Sequence, residues 1–182
     1  MSIARATRTG THSATHRAVR TATRCARRGG RCATPTATRS GTAGRRAAPD
    51  RVSRAFASLI LSFALLEHGD YEEALERLPP TRVEFEEFAF PQWHGLASVL
   101  IGEGLRLDRR LDEACRATQH GIEIATRARY WYAVAVGERI AARIARDAGD
   151  ADMAVAAFDR ARGLFERIGA RFEEARTRNE AA

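Results

Sequence analysis

The stretch Gly69-Asp70-Tyr71-Glu72-Glu73-Ala74 decides the fold, because it returns twice in the same turn-then-helix form. The later copies are Asp108-Arg109-Arg110-Leu111-Asp112-Glu113-Ala114 and Gly149-Asp150-Ala151-Asp152-Met153-Ala154, and the alanines that close the three copies are equally spaced, at positions 74, 114 and 154. A fixed period of this size is typical of stacked helical hairpins. Such arrays present extended surfaces, which favours a binding module.

Between these phrases, apolar residues recur at helical spacing. The pattern predicts seven helices, over residues 52–67, 71–78, 93–107, 110–127, 130–148, 151–168 and 171–180. The second is short because Pro79 and Pro80 should stop it, leaving an acidic and aromatic connector over residues 79–92. The predicted fold class is all-α, with antiparallel hairpins stacked as a short solenoid over residues 51–182 and a C-terminal capping helix.

The turn phrases resemble those of tetratricopeptide repeats (TPR), although the period that the alanines mark is longer than the roughly 34 residues typical of that family. Together with the segment over residues 164–178, the longer period resembles the repeat arrays of bacterial maltose-activator-type (LuxR-type) and cyclase-linked ATPase regulators. The resemblance implies about three repeats and protein binding. It also implies small or matching residues where hairpins pack, namely Ala74, Ala114, Ala154, Gly102, Phe158 and Ala161.

In this family the first helix of each repeat lines a concave groove, so the same register predicts the groove residues of this chain. They are Phe56, Leu59, Phe63, Leu66, Val99, Glu103, Arg106, Val136, Arg139, Arg143 and Arg146. The groove would run from apolar to cationic, and its arginines suit carboxylates or phosphates of a bound protein or peptide. The alternative is a solvated charged face balanced by Asp147 and Asp150.

The first helix is apolar on almost every side, although a terminal repeat should have a polar outer face. In addition to the residues predicted to face the groove, the first helix has Ile60, Leu61 and Leu65 on its other sides. This helix is therefore expected to be covered by a missing upstream repeat, by the connector phenylalanines, or by another chain. The last case predicts a possible homodimer through the first helix.

Residues 1–50 contain eleven Arg and one acidic residue, Asp50, whereas residues 51–182 contain nineteen Arg and 22 acidic residues. The first segment has no Leu or aromatic residue, which predicts a disordered tail. It is either without a role (including a mis-annotated start), a basic arm making weak non-specific nucleic-acid contact, or a transit peptide. His12, His16, Cys25 and Cys32 lack a standard zinc spacing, so no metal site is predicted.

Composition and motifs predict that the chain is not an enzyme and has no cofactor. It has no Lys, which excludes phosphate-binding loops of the Walker type and Schiff-base chemistry, and its three Cys make no disulfide framework. Cys115 is expected to lie inert on an apolar stripe. No apolar run is long enough to span a membrane, and the cysteine usage favours the cytoplasm.

The predicted function is a protein–protein interaction scaffold or sensory module in bacterial regulation. One alternative is a nucleic-acid-associated regulator that uses the basic tail. The other is a non-autonomous remnant of a larger ATPase-type transcriptional regulator.

Overall fold

The computed structural model describes residues 50–182, and this part of the chain is all-α, without a strand. The helices are α1 (Arg51–His68), α2 (Tyr71–Glu87), α3 (Pro91–Leu107), α4 (Leu111–Arg127), α5 (Trp131–Asp147), α6 (Ala151–Arg167) and α7 (Arg171–Ala181). The predictions about the tail, its nucleic-acid contact and its histidines and cysteines lie outside the described residues.

The helices repeat at half the spacing that the alanines indicate. Each helix from α2 to α6 has 17 residues, and a short turn leads to the next helix. One structural unit is therefore a single helix of about 25 Å with its turn, and the period of the alanines is one hairpin made of two such units.

Six turns share one backbone geometry, in which a residue just after the helix has a left-handed conformation. The residues with positive φ are Gly69, Ala89, Arg109, Arg129, Gly149 and Gly169. In each turn the next backbone N–H donates to the carbonyl five positions earlier, at 2.9 Å. This is the Schellman arrangement, which satisfies carbonyls at a helix end. The regular turns explain why the helices from α2 to α7 begin at even intervals, at positions 71, 91, 111, 131, 151 and 171.

Replacing Arg129 with Gly is expected to raise the free energy of unfolding. A side chain in the left-handed region costs about 1–2 kcal/mol, which glycine avoids. Glycine also makes the unfolded chain more flexible, and this offsets part of the gain, so the net gain is about 0.5–1 kcal/mol. The measurement is urea unfolding of Arg129→Gly beside Gly149→Ala. Gly149 has φ of 83° and open space around an added Cβ, so its substitution tests the backbone effect alone and should destabilise. A loss of stability in Arg129→Gly would contradict the prediction.

The prediction that Pro79 and Pro80 end the second helix is wrong, because α2 continues through them to Glu87. Both prolines lie on the exposed side of α2, where water can reach the carbonyls they leave without a helical donor. On the other side, Leu78 and Phe85 are fully buried. An interior proline costs about 3 kcal/mol, and burying one large apolar side chain returns about 1.5–3 kcal/mol. Burial therefore holds the helix together across the prolines.

Each helix packs against its neighbours in the chain, and α3 also packs against α1 and α5. Helices α3 and α4 approach closely at glycines: Gly95 faces Gly121 and Ala125, and Gly102 faces Ala114 and Thr118. The residues predicted to pack the hairpins are buried, with Ala74, Ala114 and Ala161 at 0 % exposure. Ala154 and Phe158 are 5 % and 4 % exposed, and a Cβ on Gly102 would lie 2.0 Å from Thr118 Oγ1.

A chain of aromatic rings covers the inner side of α1. Phe56 lies 5.1 Å from both Phe85 and Trp93, measured between ring centroids, and Phe90 lies at 6.3 Å. The residues of the predicted connector therefore supply part of the cover that α1 requires. On its outer side, Ile60 and Leu61 remain 69 % and 43 % exposed.

Candidate functional site

The face shared by α1, α3, α5 and α7, where the groove was predicted, is closed. Of the predicted groove residues, Leu59, Leu66, Val99, Glu103, Val136 and Arg139 are buried. Phe56, Phe63, Arg106 and Arg143 are half-buried, and Arg146 is exposed. Only a cavity of about 10 Å³ remains between them, which is hardly space for one water molecule. The predicted groove residues that line it are Phe63, Leu66, Glu103, Val136, Arg139 and Arg143. The prediction of an open groove at these residues therefore needs correction.

Carboxylates from α3, α5 and α7 occupy the predicted arginine cluster. Arg143 contacts Glu103 at 2.8 Å and Glu180 at 2.6 Å, measured between nitrogen and oxygen. Arg106 contacts the same Glu103 at 2.9 Å and Asp147 at 2.6 Å. Arg106 and Arg143 are thus neutralised inside the chain and are not presented to a ligand. Arg146 stays exposed, and its guanidinium donates to the backbone carbonyl of Glu180 at 3.0 Å.

Helix α7 completes the closure, and its contribution is almost entirely ionic. Glu173 pairs with Arg139, and Arg176 contacts both Glu180 and Glu67 of α1. Thr177 is the one buried residue of α7, whereas Phe172 is 77 % exposed. We call the residues that join these four helices the inner ion network: Glu67, Glu103, Arg106, Arg139, Arg143, Asp147, Glu173, Arg176 and Glu180.

Two members of the inner ion network, Arg143 and Glu180, have pKa values shifted in the direction that favours their charged forms. Burial alone would lower the pKa of the Arg143 guanidinium, but its hydrogen bonds to Glu180 and the charges of Glu103 and Glu180 raise that pKa above its usual range. Burial would raise the pKa of Glu180, yet hydrogen bonding and charge attraction from Arg143 hold it below its usual range. Both partners are therefore ionised at neutral pH.

A second depression lies between α4 and α6, with α5 as its floor. It has a volume of about 520 Å³ and is open to solvent. We call it the outer groove, and its apolar lining residues include Leu111, Cys115, Ile122, Ala141, Ile144 and Met153. Cys115 is exposed here, so its expected place on a buried stripe is wrong. The volume of the outer groove exceeds those of four other depressions in residues 50–182, which are about 10, 380, 300 and 230 Å³.

One repeat earlier, the equivalent depression between α2 and α4 is only about 230 Å³. Its floor contains Ile101, and the residue at the same place in the outer groove is Ala141. A smaller floor side chain leaves more room between the two walls. The size of the outer groove is therefore a local feature of the third repeat and not of the repeat in general.

The rim of the outer groove is acidic. Its charged residues are Asp112, Glu123, Glu138, Asp150 and Arg160. Arg160 is already paired with Glu138, Nε to carboxylate oxygen, at 2.9 Å. Asp150 accepts a hydrogen bond from the backbone N–H of Met153, and neither it nor Asp112 has an ion-pair partner within residues 50–182. Three carboxylates, those of Asp112, Glu123 and Asp150, thus remain without a strong counter-charge in that part of the chain.

Reasoning from the sequence missed the outer groove. Cys115 of α4, which lines it, was predicted to lie inert on an apolar stripe. The signal that could have found it is the change from Ile101 to Ala141, which are equivalent positions in the register that Ala74, Ala114 and Ala154 mark.

Within residues 50–182, no group of three or more His, Cys, Asp and Glu side chains could hold a metal ion. The same residues contain no helix whose length and apolar character would let it cross a bilayer. Comparison with known protein families, with curated proteins and with solved structures found no match. The tetratricopeptide assignment therefore remains a prediction from the turn phrases.

Proposed function

We propose that residues 51–182 form a protein–protein interaction module, a scaffold or sensory element of bacterial regulation that acts in the cytoplasm. The observation that carries this proposal is the outer groove, an open apolar concavity of about 520 Å³ on a rigid helical frame. Apolar clefts of this kind are common docking sites for the helices of partner proteins. The inner ion network closes the face that was predicted to bind, so the outer groove is the surface on which the proposal rests.

Site-specific cross-linking tests this proposal on the full chain. Cys25→Ser and Cys32→Ser leave Cys115 as a single attachment point for a photoreactive group inside the outer groove. We expect a discrete cross-linked partner from Cys115. The control position is Glu72→Cys, in a chain that also carries Cys115→Ser; Glu72 is exposed on α2, away from the groove, and should give no such product.

The repeat itself offers a variant that fills the groove. Ala141→Ile places on the floor the residue that stands at the equivalent position 101 in the smaller depression. The cross-linked product should disappear while the thermal unfolding midpoint stays near that of the parent chain. An unchanged product in Ala141→Ile would show that the partner does not use the outer groove.

The alternatives rest on other parts of the molecule. Nucleic-acid association depends on the basic tail within residues 1–50, because residues 51–182 carry 22 acidic residues against nineteen Arg. To test this alternative, the affinity for nucleic acid is measured at several salt concentrations, with and without the tail arginines. The slope of affinity against salt gives the contribution of those arginines. The homodimer proposal draws on exposed Ile60 and Leu61, and sedimentation at several concentrations tests it. For a non-autonomous remnant, neighbouring reading frames should encode the missing regulator parts.

A further inference from the structure

We infer that the occupant of the outer groove is a cationic amphipathic helix of a partner protein. This inference rests on the proposed function and names the chemistry of the partner. Its basis is the combination of an apolar floor with an acidic rim, on walls that are themselves helices. Each feature selects one property of the occupant.

The walls select a helical occupant. Helices α4 and α6 both pack on α5, and they do not pack closely against each other. The lining runs from Leu111 to Glu123 along α4 and from Met153 to Arg160 along α6, so the longer wall extends over about 18 Å, which is roughly three turns of an α-helix. Main-chain polar groups of a helix are satisfied internally, which lets it lie on apolar side chains without a cost in unpaired N–H or C=O groups.

The floor selects apolar anchors at helical spacing. Ile144 and Ala145 are buried beneath the groove, whereas Met153 is 61 % exposed at its edge. An exposed methionine is a flexible, polarisable side chain that adapts to an incoming apolar surface. The occupant should therefore present one stripe of large aliphatic residues.

The rim selects positive charge. Because Glu138 is paired with Arg160, the uncompensated charge comes from Asp112, Glu123 and Asp150. The only ion pair that these three make within residues 50–182 joins Glu123 to exposed Arg127, at 3.7 Å. A single exposed ion pair contributes little to affinity, because water screens both charges. Three of them amount to about tenfold in affinity between a cationic and an anionic occupant.

An occupant of the outer groove needs both positive charge for the rim and large aliphatic residues for the floor. Two segments of this chain have only one of these properties. Residues 1–49 carry eleven Arg and no acidic residue, but Ile3 and Val19 are their only branched aliphatic residues, so they match the rim and not the floor. The outer face of α1 presents Ile60 and Leu61 but few cations, so a second copy would match the floor and not the rim. A partner helix that has both properties fits better than either.

Three synthetic peptides, each about four helical turns long, test the inference on the full chain. The first has leucines at i, i+3, i+4 and i+7 spacing and Lys at its polar positions. The second replaces each Lys with Glu, and the third has the composition of the first in an order without periodicity. Binding is measured by anisotropy of labelled peptide and by protection of Cys115 from maleimide, in the background of Cys25→Ser and Cys32→Ser.

We expect the Lys peptide to bind about tenfold more tightly than the Glu peptide and to protect Cys115. Asp112→Asn with Glu123→Gln should reduce this preference to a few-fold, and Ala141→Ile should abolish binding. The inference would be overturned if the Lys and Glu peptides bound equally tightly. It would also be overturned if the peptide without periodicity bound as tightly as the Lys peptide.

The remaining outcomes separate the candidate occupants. If changing the eleven tail arginines to Gln speeds Cys115 labelling and tightens peptide binding, the chain's own segment occupies the groove and the inference is wrong. The same holds if self-association alone protects Cys115. If cross-linking from Cys115 is lost in Ala141→Ile but no Lys peptide binds, the inference fails while the proposed function stands.

Discussion

Glu173→Ala is expected to lower the free energy of unfolding by about 3–5 kcal/mol, because it leaves a buried guanidinium without its counter-charge. Arg139 is 2 % exposed and pairs with Glu173 of α7. Its remaining contacts are weaker: the Thr177 hydroxyl is 3.4 Å away, and the ring centroid of Phe165 lies 5.2 Å from the guanidinium carbon. Neither supplies a negative charge, and the carboxylate of Glu180 acts on Arg139 through charge attraction without a hydrogen bond, so the loss of Glu173 is compensated only in small part.

Two measurements make this prediction specific. Urea unfolding gives the loss in stability, and hydrogen exchange should show that α7 amides lose protection first, since water must reach Arg139. Glu174→Ala is the matched control on the same helix, because Glu174 pairs with Arg178, which is 63 % exposed. That change should cost about 0.5 kcal/mol or less.

Removing both charges should recover most of the stability. The double variant Arg139→Met with Glu173→Leu replaces the ion pair with apolar side chains of similar size, and such replacements of buried pairs are often neutral or stabilising. Equal losses in Glu173→Ala and Glu174→Ala, or no recovery in the double variant, would show that burial of Arg139 is not what makes Glu173 important.

Gly121→Val is expected to destabilise the chain by about 3 kcal/mol or more, because α3 and α4 approach each other at this glycine. A Cβ here would lie 2.7 Å from the backbone nitrogen of Val99 and 2.8 Å from the carbonyl oxygen of Gly95. Both neighbours are backbone atoms, so the helices must separate to make room. The measurement is the free energy of unfolding in urea, together with helical content by circular dichroism.

Gly163→Val on α6 is the matched control. It is also a glycine in a helix interior, but nothing lies within 4 Å of an added Cβ. Valine is a slightly better helix former than glycine, so this variant should gain a few tenths of a kcal/mol. A similar response of the two variants would mean that helix propensity, and not the approach of α3 to α4, governs the effect at Gly121.

Much of the fold was accessible from the sequence, because helix positions depend on residues close in the chain. Six of the seven predicted helices agree closely with the structure at both ends. The exception was α2. Proline was expected to end this helix, but burial of Phe85 stabilises its continuation. The half-period, one helix with its turn, was also missed, since Ala89, Arg109 and Arg129 occupy turn positions that glycine would have marked.

The functional surfaces were less accessible, for a different reason. Arg139, Arg143 and Arg146 look the same in the sequence whether they face a ligand, water or α7. Arg139 is paired with Glu173, 34 residues later, and Arg143 with Glu103, 40 residues earlier. Such partners are defined only when distant helices come together, and no spacing rule specifies them.

The amino-acid sequence by itself determined the all-α class, most of the turns and the repeating hairpin, because helix periodicity and chain reversals arise from interactions within a few residues. Only the tertiary structure decided which face is open. Packing of α7 converted the predicted cationic groove into the inner ion network, and the small side chain of Ala141 opened the outer groove between α4 and α6. Both outcomes depend on volumes and charges that meet across helices, which the order of residues along the chain does not display.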